Sequence, residues 1–263
     1  MRHRRIAIAG LGGVGGVHLL TLCRLGIGNF HLADFDQYDL ANFNRQVGAT
    51  LSNLGQPKLD VMIRQAQDIN PELDIKGFAD GVRANNLDDF LDGVDLYVDS
   101  LDFFAFEARR QVFAACAARG IPAITAAPLG MGAALLNFVP GGMTFEEYFR
   151  LEDGPENEMP LRFLLGLAPT RMQMGYLVEP SAVDLANRKG PSTIMACQLC
   201  AGMAATEALK ILLKRGKVYA APWGVHFDSY RNKLKHTWRP GGNSNLVQKL
   251  IIHLASKLLK NKL

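Results

Sequence analysis

The sequence predicts an α/β fold with a doubly wound, mostly parallel Rossmann-like sheet, and three observations support this prediction. Short apolar strand patterns alternate with helical patterns over residues 5–139, which is the arrangement of successive βαβ units. A glycine-rich turn separates the first strand from the first helix. The length of 263 residues and the apolar fraction of 48% fit one large α/β domain or two small ones, and exclude disordered and collagen-like chains.

The first half of the chain contains six strand patterns interleaved with three helix patterns. The strands are predicted from short runs of apolar and β-branched residues. The helices are predicted from apolar residues at helical spacing, and Asn70-Pro71 and Gly120 end two of them. The predicted strands cover residues 5–10, 30–33, 74–78, 95–99, 121–125 and 133–139, and the predicted helices cover residues 17–25, 59–69 and 105–119.

The second half is less regular. Five prolines interrupt residues 143–191, so this segment is predicted to be an irregular helical excursion that packs on the sheet and covers the functional cleft or a dimer surface. Residues 193–213 form a long apolar helix pattern, and residues 225–238 suggest two strands. We expect residues 1–242 to form the main domain, with 143–191 as its excursion.

Residues 243–263 are predicted to form a separate, basic, amphipathic C-terminal helix. Its lysines lie away from an apolar stripe, so the helix either buries the stripe against protein or makes peripheral contact with an anionic membrane. The stripe consists of Val247, Leu250, Ile251, Leu254, Leu258 and Leu259.

Charge and cysteine content exclude several classes of protein. The net charge of +4 is too small to indicate a nucleic-acid-binding surface, although a tRNA substrate stays among the alternatives. Four scattered cysteines do not make a disulfide scaffold. No secretory leader and no uncharged run of about 18 to 20 apolar residues is found. We therefore expect a cytoplasmic protein.

The glycine-rich turn predicts a nucleotide site. It lies between a strand and a helix, where glycines let the backbone approach phosphate oxygens and the helix N-terminus stabilises their charge. Asp34 follows about 20 residues later at the end of the second strand, the position of an acidic residue that binds ribose hydroxyls. By itself this pattern leaves NAD, FAD and ATP open. The glycines of the turn are Gly10, Gly12, Gly13 and Gly15.

The next connection favours a triphosphate. It concentrates hydrogen-bond donors and cations beside the predicted crevice, and a redox dinucleotide needs few of these. Attack at an α-phosphate requires Arg and Lys to neutralise developing charge, and a carboxylate to hold magnesium. Asp102, just past the fourth strand, is placed to supply that carboxylate. The residues of the connection are Asp36, Asn42, Asn44, Arg45, Gln46 and Lys58.

Five motifs occur in a characteristic order and spacing. This order resembles the ThiF/MoeB/HesA family, which includes the ubiquitin-activating enzymes, over about residues 5–142 and more weakly over 193–238. The motifs are Gly10-x-Gly12-Gly13-x-Gly15, Asp34-x-Asp36, Asn42-x-Asn44-Arg45-Gln46, Gly55-Gln56-Pro57-Lys58 and Asp99-x-x-Asp102.

The resemblance implies an ATP- and magnesium-dependent adenylyltransferase. Such enzymes activate a carboxylate, often the C-terminal glycine of a small carrier protein, as an acyl-adenylate and release pyrophosphate. The resemblance assigns Asp34 to the ribose, Arg45 and Lys58 to the phosphates and Asp102 to magnesium, with Asn42 and Gln46 as supporting polar contacts. The carboxylate substrate is expected on a carrier protein, a peptide or a small molecule, and a homodimer is expected.

The chain departs from the family pattern at several places. It begins almost directly with its first strand, without the N-terminal helix that donates an arginine to the partner's site in many members; Arg2, Arg4 or Arg5 is a candidate substitute. Phe103 follows Asp102 where the family usually has a small polar residue.

The cysteines depart from the family pattern as well. The single Cys-x-x-Cys pair, Cys197 and Cys200, lies within a helix pattern, so no structural zinc is expected. No cysteine occurs between residues 117 and 196, where relatives tend to keep a reactive thiol, so no obligatory cysteinyl thioester is expected.

Two other functions remain compatible with the residues. The glycine turn also suits an oxidoreductase that uses NAD or FAD, which would be indifferent to changes at Arg45 and Lys58. A nucleotide-binding scaffold without catalysis would keep the pocket and dock a partner, which fits the unusual excursion and the missing N-terminal helix.

Overall fold

The fold is organised around one eight-stranded sheet, in a computed structural model that describes residues 1–177 and 192–260. The strand order is β3-β2-β1-β4-β5-β6-β7-β8. The predicted α/β class with a mostly parallel, Rossmann-like sheet is confirmed. The strands are β1 (Arg5–Ala9), β2 (Asn29–Ala33), β3 (Asp74–Phe78), β4 (Leu96–Asp99), β5 (Ala123–Leu129), β6 (Gly132–Phe138), β7 (Trp223–Asp228) and β8 (Lys233–Trp238).

Strand direction places several functional segments at one edge of the sheet. The five strands from β3 to β5 in spatial order pair in parallel, whereas β6, β7 and β8 continue the sheet as antiparallel strands. Ala9 at the end of β1 pairs with Ala33 of β2 on one side and Asp99 of β4 on the other. The segments that follow these three strands therefore meet at the carboxyl edge, where open α/β sheets bind ligands.

Eight α-helices lie in the described residues. All three helices predicted before residue 120 form within a few residues of their expected bounds. The short α3 was not predicted, because one and a half turns carry too little periodicity to recognise. The helices are α1 (Gly15–Arg24), α2 (Lys58–Ile69), α3 (Leu87–Leu91), α4 (Phe106–Arg119), α5 (Phe145–Phe149), α6 (Met159–Leu167), α7 (Ile194–Leu213) and α8 (Leu246–Lys260).

Helices cover both faces of the sheet. On one face, Ile6 and Ile8 of β1 join a buried cluster with residues of α1, α2 and α7. On the other face, Ala7 and Ala9 of the same strand join a second cluster with α3, α4, α5 and α6. This alternation follows from the two-residue period of a strand buried on both sides.

Helix α7 packs closely on the sheet through small side chains. Ala201, Ala204 and Ala208 are at most 1% exposed, and the helix contacts α1, β5 and β6. By length and composition alone it is apolar enough to cross a membrane, with 44% of that apolar window buried inside the protein. A core helix of this kind satisfies the same composition test.

The described part of the excursion, residues 143–177, packs on the second face of the sheet. Phe145 stacks on Phe113 of α4 with ring centroids 4.4 Å apart, and Phe149 lies 4.9 Å from Phe163 of α6. The aromatic residues of α5 and α6 therefore extend the core beyond α4. The rest of the predicted excursion, 178–191, lies outside the described residues.

The segment after residue 242 is joined to the excursion by buried polar contacts. The Asn243 amide donates to the carbonyl oxygens of Phe149 and Arg162, at 2.6 and 3.0 Å. The Gln248 amide donates to the Leu165 carbonyl at 2.9 Å. One face of α8 thus packs on α6, and Ile252, which the predicted stripe leaves out, is 5% exposed.

A buried histidine in α1, His18, makes the stability of the folded protein sensitive to acid. Its ring is 0% exposed, and neither ring nitrogen has a hydrogen-bond partner among the described residues. Burial lowers the pKa of His18 from 6.5 to about 4, because the charged imidazolium is poorly solvated there. The neutral ring is compatible with the fold, and protonation favours the unfolded chain.

We predict that the free energy of unfolding falls as pH drops from about 6.5 towards 4, with a contribution from His18 of about 3 kcal/mol. Urea unfolding of wild type and His18→Leu at neutral and acidic pH measures this contribution. The variant should lose correspondingly less stability on acidification, and His31 and His226, whose pKa values burial also lowers, contribute to the loss that remains. Equal losses in both proteins would contradict the assignment.

Candidate active site

The glycine-rich turn combines two tightly packed glycines with an open one. A side chain at Gly10 would lie 2.2 Å from the Ser100 carbonyl oxygen, and one at Gly15 would lie 1.8 Å from the Gly10 carbonyl oxygen. At Gly12 the nearest atom, the Gln46 amide nitrogen, is 3.6 Å away. Gly10 and Gly15 are therefore required by the fold, whereas Gly12 leaves the backbone open to an approaching ligand.

The turn leads directly into the N-terminus of α1. No side chain caps this end, and the first helical turn contains no acidic residue. The unpaired backbone N–H groups and the helix dipole therefore favour an anion at this position.

Asp34 fixes the shape of the turn from the end of β2. One carboxylate oxygen accepts a hydrogen bond from the Leu11 N–H at 2.6 Å, and the other accepts from the Asp36 N–H at 2.8 Å. Burial raises the pKa of Asp34, while these two N–H groups and Lys58 act in the opposite direction. A carboxylate offers about four acceptor positions, so those that remain suit two ribose hydroxyls.

Lys58 brings a buried cation to the same edge. The residue is 5% exposed and stands at the first position of α2. Its ammonium group lies 3.0 Å from the carboxylate of Asp36, whose own side chain is 54% exposed. The ammonium is thus largely withdrawn from solvent and paired with an exposed carboxylate, so a phosphate arriving beside Asp36 would meet a positive charge.

Arg45 and Gln46 lie against the glycine turn. The methylene groups of Arg45 come within 3.6 Å of the position a Gly13 side chain would take, and its guanidinium donates to the Ala41 carbonyl and to Asn44 at 3.2 and 2.9 Å. Gln46 is 7% exposed, and its carbonyl oxygen has no partner among the described residues. Buried and unpaired, this oxygen can accept a ligand donor.

The side chain of Asn42 stabilises the local structure of the connection between β2 and α2. Its side-chain oxygen accepts from the Asp39 N–H at 3.0 Å, which completes a capping box around the short 3₁₀ turn Leu40–Asn42. Asn42 therefore shapes the segment that carries Arg45 through this hydrogen bond.

Asp102 is exposed at the carboxyl edge after β4. One carboxylate oxygen accepts from the Phe104 N–H at 2.9 Å, and the other accepts no hydrogen bond from the described residues. No cluster of three or more candidate metal ligands occurs in residues 1–177 and 192–260. Magnesium is often held by one or two carboxylates together with substrate phosphates and water, and a single free carboxylate oxygen fits that arrangement.

Arg109 is a site residue that the sequence analysis missed. It is 2% exposed, and it forms a buried ion pair with Asp99 at 2.9 Å. The same guanidinium donates to three consecutive carbonyl groups of the loop that carries Asp102. These carbonyls belong to Leu101 at 2.7 Å, Asp102 at 3.0 Å and Phe103 at 3.2 Å.

Asp99 is satisfied by further donors. The Thr125 hydroxyl donates to it at 2.9 Å and the Tyr97 hydroxyl at 3.3 Å. Arg109 also lies 4.7 Å over the ring of Phe163, against which Phe103 packs at 5.2 Å. The excursion therefore supports the Asp102 loop through α6. An arginine inside an ordinary helix pattern gave no sequence signal for this role.

Cys197 contacts the glycine turn from the start of α7. Its sulfur lies 3.2 Å from the position of a Gly13 side chain, and the thiol is buried. Burial raises the pKa of Cys197, an effect that Arg45 opposes. A buried, protonated thiol is a poor nucleophile, so this cysteine serves to pack α7 against the turn.

The N-terminal arginines lie at the opposite edge of the sheet. Arg4 pairs with Asp95 at 2.6 Å and Arg5 with Asp74 at 2.8 Å, just before β4 and at the start of β3. Arg2 lies 3.3 Å from Glu72. These three arginines, the candidates for the role of the family's N-terminal arginine, are therefore not at the glycine turn of their own chain.

A family model matches almost the whole chain. It describes the ThiF family and covers residues 1–245. The chain belongs to the ThiF family. Among curated relatives it is 35% identical over 135 residues to the tRNA threonylcarbamoyladenosine dehydratase of Bacillus subtilis (strain 168), covering 51% of each chain. It is 32% identical over 136 residues to the sulfur carrier protein ThiS adenylyltransferase of Escherichia coli (strain K12), covering 52% of this chain and 53% of the relative.

These matches span about half the length of the curated ThiF-family relatives. Among solved structures, E. coli MccB with ATP has a TM-score of 0.64 at 22% identity, covering 90% of this chain and 63% of that chain. The crystal structure of selenomethionine PaaA has a TM-score of 0.67 at 15% identity, covering 90% and 64%. These likenesses show a shared fold.

Replacing Arg109 by Met should destabilise the protein by about 3 to 5 kcal/mol, because it leaves Asp99 charged and buried without its partner. Urea unfolding measures the loss. The matched control is Arg110→Met: its side chain is 21% exposed and pairs with Glu146 and Glu152, so about 1 kcal/mol is expected. Similar losses in the two variants would show that Arg109 has no special role.

Gly12→Ala and Gly15→Ala should separate ligand binding from folding. Alanine at Gly15 collides with the backbone of Gly10, so we expect loss of the folded protein. Alanine at Gly12 should leave the melting temperature within about 2 °C of wild type and weaken binding of a fluorescent ATP analogue by about tenfold or more, because the added methyl group occupies the open approach to the turn. Gly202→Ala, at an open helical position, is the control. Unchanged affinity in Gly12→Ala would argue against phosphate binding there.

Proposed function

We propose that this protein is an ATP-dependent adenylyltransferase that activates a carboxylate as an acyl-adenylate. The observation that supports this most is the convergence of four features at one edge of the sheet: an open glycine turn before a helix N-terminus, a buried lysine, an arginine packed on the turn, and an exposed carboxylate on a clamped loop. Membership of the ThiF family supports the same proposal.

The nucleotide is expected to lie along the carboxyl edge. The free acceptor positions of Asp34 bind the ribose hydroxyls, and the N–H groups at Gly12 and the start of α1 bind phosphate oxygens. Gln46 lies beside this surface with its amide nitrogen towards Gly12. Lys58 exchanges its partner Asp36 for a phosphate or holds both.

In the proposed reaction a carboxylate oxygen of the substrate attacks the α-phosphorus of ATP in line. The new oxygen–phosphorus bond forms as the bond to the bridging oxygen breaks, and pyrophosphate leaves with that oxygen and its electron pair. Arg45 and Lys58 offset the charge on the phosphates. Asp102 would hold magnesium, which supplies further charge neutralisation when bound. No general base is required, because the carboxylate is already ionised, so positioning and electrostatics provide the catalysis.

Names of relatives point to two kinds of substrate, a sulfur carrier protein and a modified tRNA nucleoside. For this chain we propose a carboxylate on a carrier protein, peptide or small molecule, passed to an amine or sulfur nucleophile. The buried, protonated Cys197 supports a reaction without a cysteinyl thioester. A cytoplasmic homodimer agrees with the family resemblance.

ATP–pyrophosphate exchange tests the proposal directly. Purified protein is assayed with magnesium, labelled pyrophosphate and a pool of carrier peptides and small carboxylates. Exchange should require one component of the pool and fall by at least about a hundredfold in Arg45→Ala and in Asp102→Ala, since each removes charge stabilisation from the phosphates. Arg24→Ala, an exposed arginine at the end of α1, is the matched control and should retain exchange.

The other outcomes distinguish the alternatives. Binding of ATP without exchange from any pool would favour the non-catalytic scaffold. Tight binding of NAD or FAD that persists in Arg45→Ala and Lys58→Ala would favour the oxidoreductase. Failure to bind ATP at all would overturn the proposal.

A further inference from the structure

Helix α8 exposes an apolar stripe on the side that faces away from α6. The stripe comprises Leu246, Val247, Leu250 and Leu254, with exposed fractions of 83, 62, 58 and 52%. Residues 246, 250 and 254 follow one another at four-residue spacing and so lie on one side of the helix. The opposite side is already occupied by Ile252 and Gln248 in contact with α6.

The C-terminal part of the chain that carries this stripe is basic. Residues 229–263 contain eight of the 29 lysines and arginines and no aspartate or glutamate. The first 228 residues consequently carry 21 basic and 25 acidic residues, an excess of negative charge. Lys249 and Lys257 are exposed on α8 itself. An apolar stripe in such a basic segment is complementary to a partner that has an apolar interior beneath a negatively charged outer layer.

We propose that the outer face of α8 docks on an anionic lipid bilayer, with Leu246, Val247, Leu250 and Leu254 inserted among the acyl chains and the lysines at the headgroups. Aliphatic side chains partition into the acyl boundary, and lysine stems extend along it while their ammonium groups reach anionic headgroups. Aliphatic residues offer no ring on which nucleic-acid bases stack, so RNA fits this stripe poorly.

A second copy of the chain fits the stripe less well than a membrane. A symmetric contact through α8 would bring two such basic segments together, since the same patch faces itself across a two-fold axis. Each copy would place Lys249 and Lys257 near like charges without an acidic partner from residues 229–263. An anionic membrane instead offers Lys249 and Lys257 charges of the opposite sign.

The helix is held in a form ready to bind. Asn243 and Gln248 fix its first turns to the excursion, and Ser256 donates to Glu158 at 2.7 Å. The stripe is therefore exposed without any part of the described fold having to open. None of its residues belongs to the carboxyl-edge site, so membrane docking and nucleotide chemistry are separable properties.

Vesicle flotation of the full chain tests the proposal. Wild type should float with vesicles of phosphatidylcholine and phosphatidylglycerol, much less with phosphatidylcholine alone, and progressively less as salt screens the charges. The variant Leu250→Ser/Leu254→Ser should lower the partition coefficient at least tenfold. Lys249→Gln/Lys257→Gln should lower it by roughly fivefold for each lysine.

The matched control is Leu51→Ser/Leu213→Ser, which changes two leucines that are 82 and 52% exposed outside α8. It should partition like wild type. Thermal unfolding confirms that every variant is folded, as expected for exposed positions. The proposal is overturned if wild type does not float with anionic vesicles, or if the stripe variant floats as wild type does. It is also overturned if light scattering shows that the stripe variant converts a dimer to a monomer, because a second copy then covers the stripe.

Discussion

The buried ion pair between Asp99 and Arg109 is the interaction on which the candidate site depends. The first residue ends β4 and the second lies in α4, so the pair joins the sheet to the helix that covers it. Since Arg109 also binds three successive loop carbonyls, it sets the course of the chain between the two elements. The buried Arg109 therefore positions the exposed carboxylate of Asp102. The charges of Asp99 and Arg109 are tolerated in the interior because each has several hydrogen-bond partners.

Local sequence signals were sufficient to predict that several residues of the candidate site would lie at one edge of the sheet. The glycine turn, Asp34 at a strand end and Lys58 at a helix start are all marked by residue type and by position relative to a strand or helix. Their meeting at one edge follows from parallel strand order alone. Arg109 carried no such mark, because its burial results from tertiary pairing with Asp99. The contact between Cys197 and Gly13 joins positions far apart in the chain, and no local pattern encodes it.

The packing of the excursion and of α8 could not be predicted from the sequence either. Prolines identified residues 143–191 as irregular, yet the stacking of Phe145 on Phe113 and the position of Phe163 beneath Arg109 depend on where α4 lies. The apolar residues of α8 were recognisable, but periodicity could not say which of them would meet α6. The structure divides them, with Ile252 inside and Leu250 outside.

The hydrogen bonds of Asp34 have a consequence for binding energetics. Because the carboxylate already ties the backbone of Leu11 to that of Asp36, the turn is ordered before any nucleotide arrives. A flexible loop would lose conformational entropy when the ligand binds, whereas this turn has already lost that entropy during folding. A ligand that enters such a preorganised cradle keeps more of its contact energy as net affinity, and its arrival rate is governed by diffusion and charge rather than by a slow rearrangement of the loop.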